Sequence, residues 1–415
     1  MFFNLFYDLT INDDFFYRNM KILQKVPEFL RTFIQNKLNM AGIYLHIPFC
    51  KQRCIYCDFF STLQGERIPR YVQALCQEIE RRKDYLENEP VETIYLGGGT
   101  PSLLKEDDFQ QLFDTIFRNF SLAEYPEITM EANPDDLTPE YNALLRKFPF
   151  NRISMGIQTF NDAILKRLNR RHTAQQAMEA FANCRKAGFQ NISIDLMYGL
   201  PGETAESWNR DLQQAMEMRP EHLSAYHLIY EEGTPLWRMR EQHRVEEADE
   251  DTSLTFFQML IQRVKEQGYQ HYEISNFCLP GLHSRHNSSY WTGKKYLGCG
   301  AAAHSYNGTS RQWNLASLDG YIQGITAGKE VAETEELDLY TRYNDFVITT
   351  LRTCWGMSLS RLKKEFGSVL ADYCLRMASP YIKQNKLTCK QDILKLTEEG
   401  IFISDGIMSD LLWVE

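Results

Sequence analysis

From Gly42 to Gln267, short apolar runs alternate with longer stretches whose apolar residues recur at helical spacing. That alternation is the pattern of βα units wound around a parallel sheet. Six units can be counted, with strands expected at Ile43–Ile47, Thr93–Leu96, Glu127–Glu131, Arg152–Met155, Asn191–Met197 and His222–His227. Helical patterns follow at Pro69–Glu87, Glu106–Phe117, Pro139–Lys147, Ala174–Lys186, Ala205–Met218 and Asp249–Gln267. Pro69, Pro139 and Pro220 mark helix starts or loops, where a missing N–H does no harm. Tyr269–Phe277 comes next, then a Gly-, Ser-, His- and aromatic-rich stretch, Gly281–Asn307. From about Glu335 the texture turns helical over Tyr343–Leu351, Leu359–Phe366 and Val369–Tyr381, ending in Leu396-Thr397-Glu398-Glu399-Gly400. The chain therefore divides into residues 40–334, an α/β unit, and residues 335–415, a small helical domain and a candidate winged helix. Residues 1–39 are rich in Phe and Asn, and Met40 stands immediately before the first strand as an alternative start. The other reading is a short helical extension over Lys21–Lys37, on the spacing of Ile22, Val26, Phe29, Leu30 and Phe33.

What stands at the end of each strand is chemically distinctive. A cysteine cluster follows the first, Gly97-Gly98-Gly99-Thr100-Pro101 the second, and Glu131-Ala132-Asn133 ends the third. Gln158 follows the fourth, Asp195 lies within the fifth, and Tyr226-His227 ends the sixth. In a βα barrel these positions converge on one rim, the usual seat of chemistry.

Composition narrows the class without naming the chemistry. Of 415 residues, 43% are hydrophobic and 24% charged, values of an ordinary globular chain and not of a disordered, collagen-like or coiled-coil one. With 45 Lys+Arg against 55 Asp+Glu the formal charge is −10, which argues against nucleic acid as the main partner. No apolar window approaches the ~18 residues of a membrane span, and Met1–Asp13 lacks a signal-peptide pattern, so a soluble, cytoplasmic protein is expected. Ten cysteines are too dilute for a disulfide scaffold, and a cytoplasmic setting keeps thiols reduced. Seven of them are scattered, as small buried hydrophobes are. Cys50, Cys54 and Cys57 sit together.

Three thiolates within eight residues on one loop can hold three corners of a [4Fe-4S] cube and leave its fourth iron open. The competing metal is zinc, with His46 as fourth ligand. Gly97-Gly98-Gly99-Thr100-Pro101 offers a backbone that a ligand can approach and free amide donors, or else forms a plain tight turn. Singly, Glu131, Gln158, Arg170 and Asp195 suit ordinary surface or capping roles.

Cys50-x3-Cys54-x-Tyr56-Cys57 resembles the signature of the radical SAM superfamily. From Gly42 onward the chain is similar to its coproporphyrinogen III oxidase-like group. The similarity is carried by Tyr44–Cys57, Leu96–Pro101, Met155–Phe160, Leu168-Asn169-Arg170, Asp195–Gly202 and Glu273–Phe277. The resemblance implies a partial (β/α)6 radical SAM barrel with additional strands after it. It implies a [4Fe-4S] cluster on the three cysteines whose fourth iron binds S-adenosylmethionine (SAM). In that superfamily an electron from the reduced cluster splits SAM into methionine and a 5′-deoxyadenosyl radical. Tyr44, Tyr56, Gly99, Thr100, Glu131, Gln158, Arg170 and Asp195 would line the SAM pocket. The glycine motif would receive its amino group, Glu131 the ribose hydroxyls and Arg170 the carboxylate.

Two branches of the group divide at one residue. True oxidases resemble Cys-x3-Cys-x2-Cys-x-Cys, and the last of those positions here is Phe59. The chain instead resembles the haem-chaperone branch, whose loop reads Cys-x3-Cys-x-Tyr-Cys-Asp-Phe and which has a His-Asn-x-x-Tyr-Trp phrase, here His286–Trp291. The resemblance implies haem as cargo and a haem-acceptor protein, with a membrane haemoprotein as one candidate and peripheral membrane contact. It names no electron donor and leaves SAM cleavage open. His is a common axial haem ligand and aromatic rings stack on macrocycles, so His286, Tyr290 and Trp291 are haem-contact candidates, set against a plain packing role. Leu297–Ser305, with Cys299 and His304, reads as close backbone packing before a second metal site. The competing activity is anaerobic oxidative decarboxylation of coproporphyrinogen III.

Overall fold

The structure, a computed structural model, describes residues 40–414. The readings made for residues 1–39 lie outside the described residues. Six strands run parallel and side by side in sequence order: β1 Ala41–Ile47, β2 Val91–Gly98, β3 Leu122–Ala132, β4 Arg152–Gln158, β5 Asn191–Tyr198 and β6 His222–His227. The returning helices are α1 Ile68–Arg81, α2 Glu106–Asn119, α3 Pro139–Leu145, α4 Asp162–Arg167, α5 Ala174–Lys186 and α6 Ala205–Met218. Sequence periodicity anticipates all of these except α4. Its six residues are too few to show a period, and it starts because Asn161 accepts the amides of Ala163 and Ile164.

Strand alternation decides what each face of the sheet does. Ile43, Leu45, Ile94, Leu96, Ile128, Met130, Ile153, Met155, Ile192, Ile194 and Leu223 are buried in the main core with the apolar faces of the helices. The residues between them form cross-strand neighbours on the other face: Tyr44 beside Tyr95, Thr129 beside Arg152, Glu131 beside Ser154, and Asp195 beside Ser224. The inner face of this barrel is therefore polar, where a closed βα barrel is filled with aliphatic side chains.

The barrel stays open because both flanks carry further strands. β7 Gln270–Glu273 and β8 Asn276–Cys278 extend the sheet antiparallel from β6. β9 Tyr296–Cys299 joins β1 in parallel, and β10 His304–Tyr306, β11 Ser310–Asn314 and β12 Ala332–Glu336 continue antiparallel beyond it. The resulting 12-stranded sheet begins at β12 and ends at β7. Helices α7 Pro235–Glu241 and α8 Glu250–Glu266 precede β7.

Helix α9, Arg285–Thr292, packs against β1 and β2 from the inner side. Its N-terminal amides at Arg285 and His286 donate to the Glu127 carboxylate of β3, both at 3.0 Å, and Ser284 accepts from Asn287. The Gly298–Ala301 turn confirms close backbone packing. A Cβ on Gly300, whose φ is 108°, would lie 2.5 Å from the Tyr71 hydroxyl and 2.6 Å from the His46 carbonyl. Buried Glu78 ties the turn down, accepting from the Gly300 amide, Asn314 and Tyr321.

After α10 Leu318–Thr326, the C-terminal region forms a separate core around Tyr343, Val347, Leu362, Cys374, Leu394 and Leu411. Its elements are α11 Leu339–Leu351, β13 Met357–Ser358, α12 Leu359–Lys383, β14 Leu387–Lys390, β15 Ile393–Leu396, α13 Glu398–Ile401 and α14 Ser404–Leu411. Alongside the helices stands a three-stranded antiparallel sheet, ordered β13-β15-β14. Helix α12 breaks at Gly367, φ 82°, between the two stretches that the sequence separates. Among the described residues no helix is long and apolar enough to cross a membrane.

Candidate functional site

A cavity of about 470 Å³ opens where β1–β6 end. The cysteine loop forms one wall, and it is held from several directions. The Cys50 amide donates to the Thr62 carbonyl at 2.8 Å, and Lys51 pairs with buried Asp136 at 2.7 Å. The Ile55 amide reaches the Leu168 carbonyl, while Asn169 donates to the Arg53 carbonyl at 2.8 Å and accepts from Gln52. Asn169 does this from a left-handed backbone, φ 61°. The three thiols line the cavity, half-buried and uncrosslinked. Burial pushes the Cys57 thiol up to about 11, so a metal held there takes the proton's place.

Arg170 joins this loop to the strand ends. One terminal nitrogen lies 3.3 Å from Cys54 Sγ, and the other donates to Asn133 Oδ1 at 2.7 Å and the Gly156 carbonyl at 2.6 Å. Asn133 donates in turn to Thr100, whose hydroxyl lies 3.5 Å from Cys50 Sγ. Most of the Arg170 fork is thus spent on protein. Its buried Nε is without a partner. Gln158, the last residue of β4, stands in the cavity wall at φ 71° beside a register shift. A non-glycine residue held there marks strain of the kind that functional sites keep.

Two carboxylates face each other across the inner wall. Glu131 accepts from the Tyr95 hydroxyl at 2.6 Å and the Gly98 amide at 3.0 Å, and burial raises its pKa against those two donors. Asp195, with Ser154 beside it, is pushed up to about 7 by burial and by the charge of Glu131. Arg152, 1% exposed at the start of β4, offsets both carboxylates, while its Nε and Nη1 have no hydrogen-bond partner.

Several expectations change here. Two amides of the glycine turn are spent on protein: that of Gly98 goes to Glu131 and that of Gly99 to the Ile47 carbonyl at 2.9 Å. Gly99 instead braces the cysteine loop, since a Cβ there would meet Phe49 backbone at 2.9 Å. Tyr44 stands outside the cavity wall, its hydroxyl 3.0 Å from His46 Nδ1. His46 shares its other nitrogen with the Phe60 carbonyl at 3.0 Å. With both nitrogens engaged it has none to give a metal, which removes the fourth ligand of the zinc reading. Tyr56, Gly99, Thr100, Glu131, Gln158, Arg170 and Asp195 do line the cavity together.

The haem-contact candidates part company. His286 is 1% exposed, shares hydrogen bonds with Thr93 at 2.8 Å and Tyr290 at 2.9 Å, and stacks on Tyr95 at 4.9 Å. Burial lowers its pKa to about 3, leaving a neutral, fully paired ring. It packs as a core histidine that fixes α9 against β2. Tyr290 and Trp291 line a different cavity, of about 450 Å³, while Asn287 of the same helix lines the first. Sequence reasoning missed Tyr95, Arg152, Ser154 and Ser224. The signal available was alternation, since each lies an even number of residues from Glu131, Gln158 or Asp195 or their cross-strand neighbours.

Comparison with known proteins agrees with this geometry. Residues 44–215 match the Radical SAM superfamily and residues 337–403 the HemN C-terminal domain. The chain is 33% identical to the Heme chaperone HemW of Lactococcus lactis subsp. lactis (strain IL1403), over 89% of this chain and 96% of the relative. It is 31% identical to that of Bacillus subtilis (strain 168), over 90% and 99%, and 40% identical to that of Escherichia coli (strain K12), over 65% and 70%. Its fold matches the solved coproporphyrinogen III oxidase HemN of Escherichia coli, a radical SAM enzyme, with a TM-score of 0.78 at 24% identity, covering 93% and 94% of the two chains. An open, polar-lined barrel with a three-cysteine loop at its rim, and relatives of this length and likeness, lead to one conclusion: the chain belongs to the HemW family of radical SAM proteins.

Proposed function

We propose that this protein is a haem chaperone: it holds a [4Fe-4S] cluster on Cys50, Cys54 and Cys57 with SAM beside it, binds haem, and delivers it to an acceptor protein. The observation that carries the first half is the junction of Arg170, Asn133 and Thr100 with two of three half-buried thiols on one cavity wall. A guanidinium beside sulfur, a buried Nε without a partner and a soft donor set fit an anionic cluster. When bound, the cluster supplies an electron source and an open iron for SAM. The chain's own residues position and shield. Arg170 and Thr100 fix the sulfurs, Gly99 lets the loop lie against β1, and Glu131 and Asp195 offer hydrogen-bond acceptors to hydroxyl and amino groups. The name shared by relatives of 31–40% identity supports the haem half of the reading.

Phe59 favours carriage over oxidase chemistry. It stands 63% exposed at the cavity mouth, where the oxidase pattern places a fourth cysteine. Anaerobic haem titration followed by transfer to an apo-haemoprotein, soluble or in a membrane fraction, tests the proposal. One-to-one binding and transfer are expected. Conversion of coproporphyrinogen III to protoporphyrinogen with SAM and reductant would replace it with the oxidase reading.

A further inference from the structure

The second cavity has chemistry of its own. Helix α9 contributes Tyr290 and Trp291, β9 and β10 contribute Tyr296 and Tyr306, and the C-terminal helices α11 and α12 contribute Phe346 and Phe366. Six aromatic side chains thus come from three separate parts of the chain. Arg311, Arg342 and Arg361 share the wall with only two carboxylates, Asp345 and Glu365. An excess of cation is notable in a protein of formal charge −10. Arg311 pairs with Asp345 and Arg361 with Glu365, but Arg342 makes no side-chain ion pair among the described residues. Its Nε is buried without a partner, and so is Trp291 Nε1. Buried donors in this state cost free energy that a ligand with acceptor oxygens recovers.

We propose that this cavity, and not the cluster cavity, is the haem seat: its aromatic wall takes the flat macrocycle and Arg342, with Arg361, takes the carboxylates. The proposal rests on the haem-carrier reading and deepens it by naming the site. Arginine forks match carboxylates bidentately, and stacked aromatic faces accept a large π-system without demanding one orientation. The arrangement also gives Tyr290-Trp291 of the His286–Trp291 phrase a role that does not require His286 to touch iron.

Two titrations, followed by absorbance, test it. Arg342→Gln and the double variant Arg342→Gln/Arg361→Gln should raise the haem Kd about tenfold and further still, with cluster absorbance and SAM binding unchanged. The unaltered protein should bind haem dimethyl ester, the same iron porphyrin without free carboxylates, about as weakly as the double variant binds haem. Because the ester needs no substitution, it reads the arginine contact even where a variant folds poorly. If the unaltered chain binds haem one-to-one while the ester binds equally well and both variants match the parent, the site is wrong and the chaperone reading survives. If the unaltered chain binds no haem, both fall.

Discussion

The two cavities are nearly equal in size, about 470 and 450 Å³, yet their polar groups are organised in opposite ways. In the cluster cavity most groups are linked to one another, leaving Arg170 Nε at the wall and Arg152 Nε and Nη1 beside the carboxylates without partners. Arg170, Asn133, Thr100 and two cysteines form one connected run, and Glu131 is fixed by Tyr95 and Gly98. All of it stands on the ends of strands whose apolar sides are locked into one core. In the second cavity the walls belong to two separately cored parts of the chain, aromatic rings predominate, and two buried donors wait unpaired. The contrast separates two tasks. A site that must hold a reactive cofactor in fixed geometry is best built prepaired, because reorganisation then costs nothing at the moment of use. A site that must load and unload bulky cargo is better placed between bodies that can part slightly.

The separation can be broken from either side. The largest effect expected is that of Cys54→Ala: anaerobic preparations should lack acid-labile sulfide and cluster absorbance altogether, while haem Kd stays within about twofold of the parent. Loss of haem binding in that variant would merge the two sites. Next comes His286→Ala, which leaves Thr93 and Tyr290 without their partner at the centre of the α9 packing. Denaturant unfolding should show a loss of about 2–3 kcal/mol, with the haem absorption maximum unmoved. A shifted maximum would restore His286 as a ligand.

The smallest effect concerns Asp195. An aspartate ordinarily ionises near pH ~3.9, whereas Asp195 in the folded chain holds its proton to about 7. Between those values the folded state binds more protons than the unfolded one, so stability falls as pH rises. Asp195→Asn cannot ionise and should gain on the parent from about pH 5 to about pH 6 by roughly 1 kcal/mol. Equal gains at both pH values would show that Asp195 titrates normally.

Much of the first cavity is legible in the sequence because it is local. The cysteine loop lies within eight residues, and Gly99, Glu131, Gln158 and Asp195 announce themselves by standing where apolar strands end. The six strands were readable because the side packed under helices is aliphatic throughout. What the inner side holds was less so: Arg152 and Tyr95 look like interruptions of strands until register aligns them with Glu131 and Asp195. Arg170 is readable as a site residue, but its link to Asn133 and Gly156 is not, since only the fold brings those strand ends to it. Helix α9 escaped notice because it is eight polar-rich residues long and capped by Glu127, more than 150 positions away in sequence. The second cavity was illegible for the same reason. Its walls come from residues 290–311 and 342–366, and only the packing of the C-terminal region brings them together.

The central claim is that cofactor and cargo occupy different places on one chain, and competition between them tests it directly. Haem is titrated into the cluster-loaded protein at rising SAM concentration, with binding of each followed separately. The account predicts a haem Kd that stays within about twofold as SAM saturates. A haem Kd that climbs in proportion to SAM would place both in one cavity and contradict it.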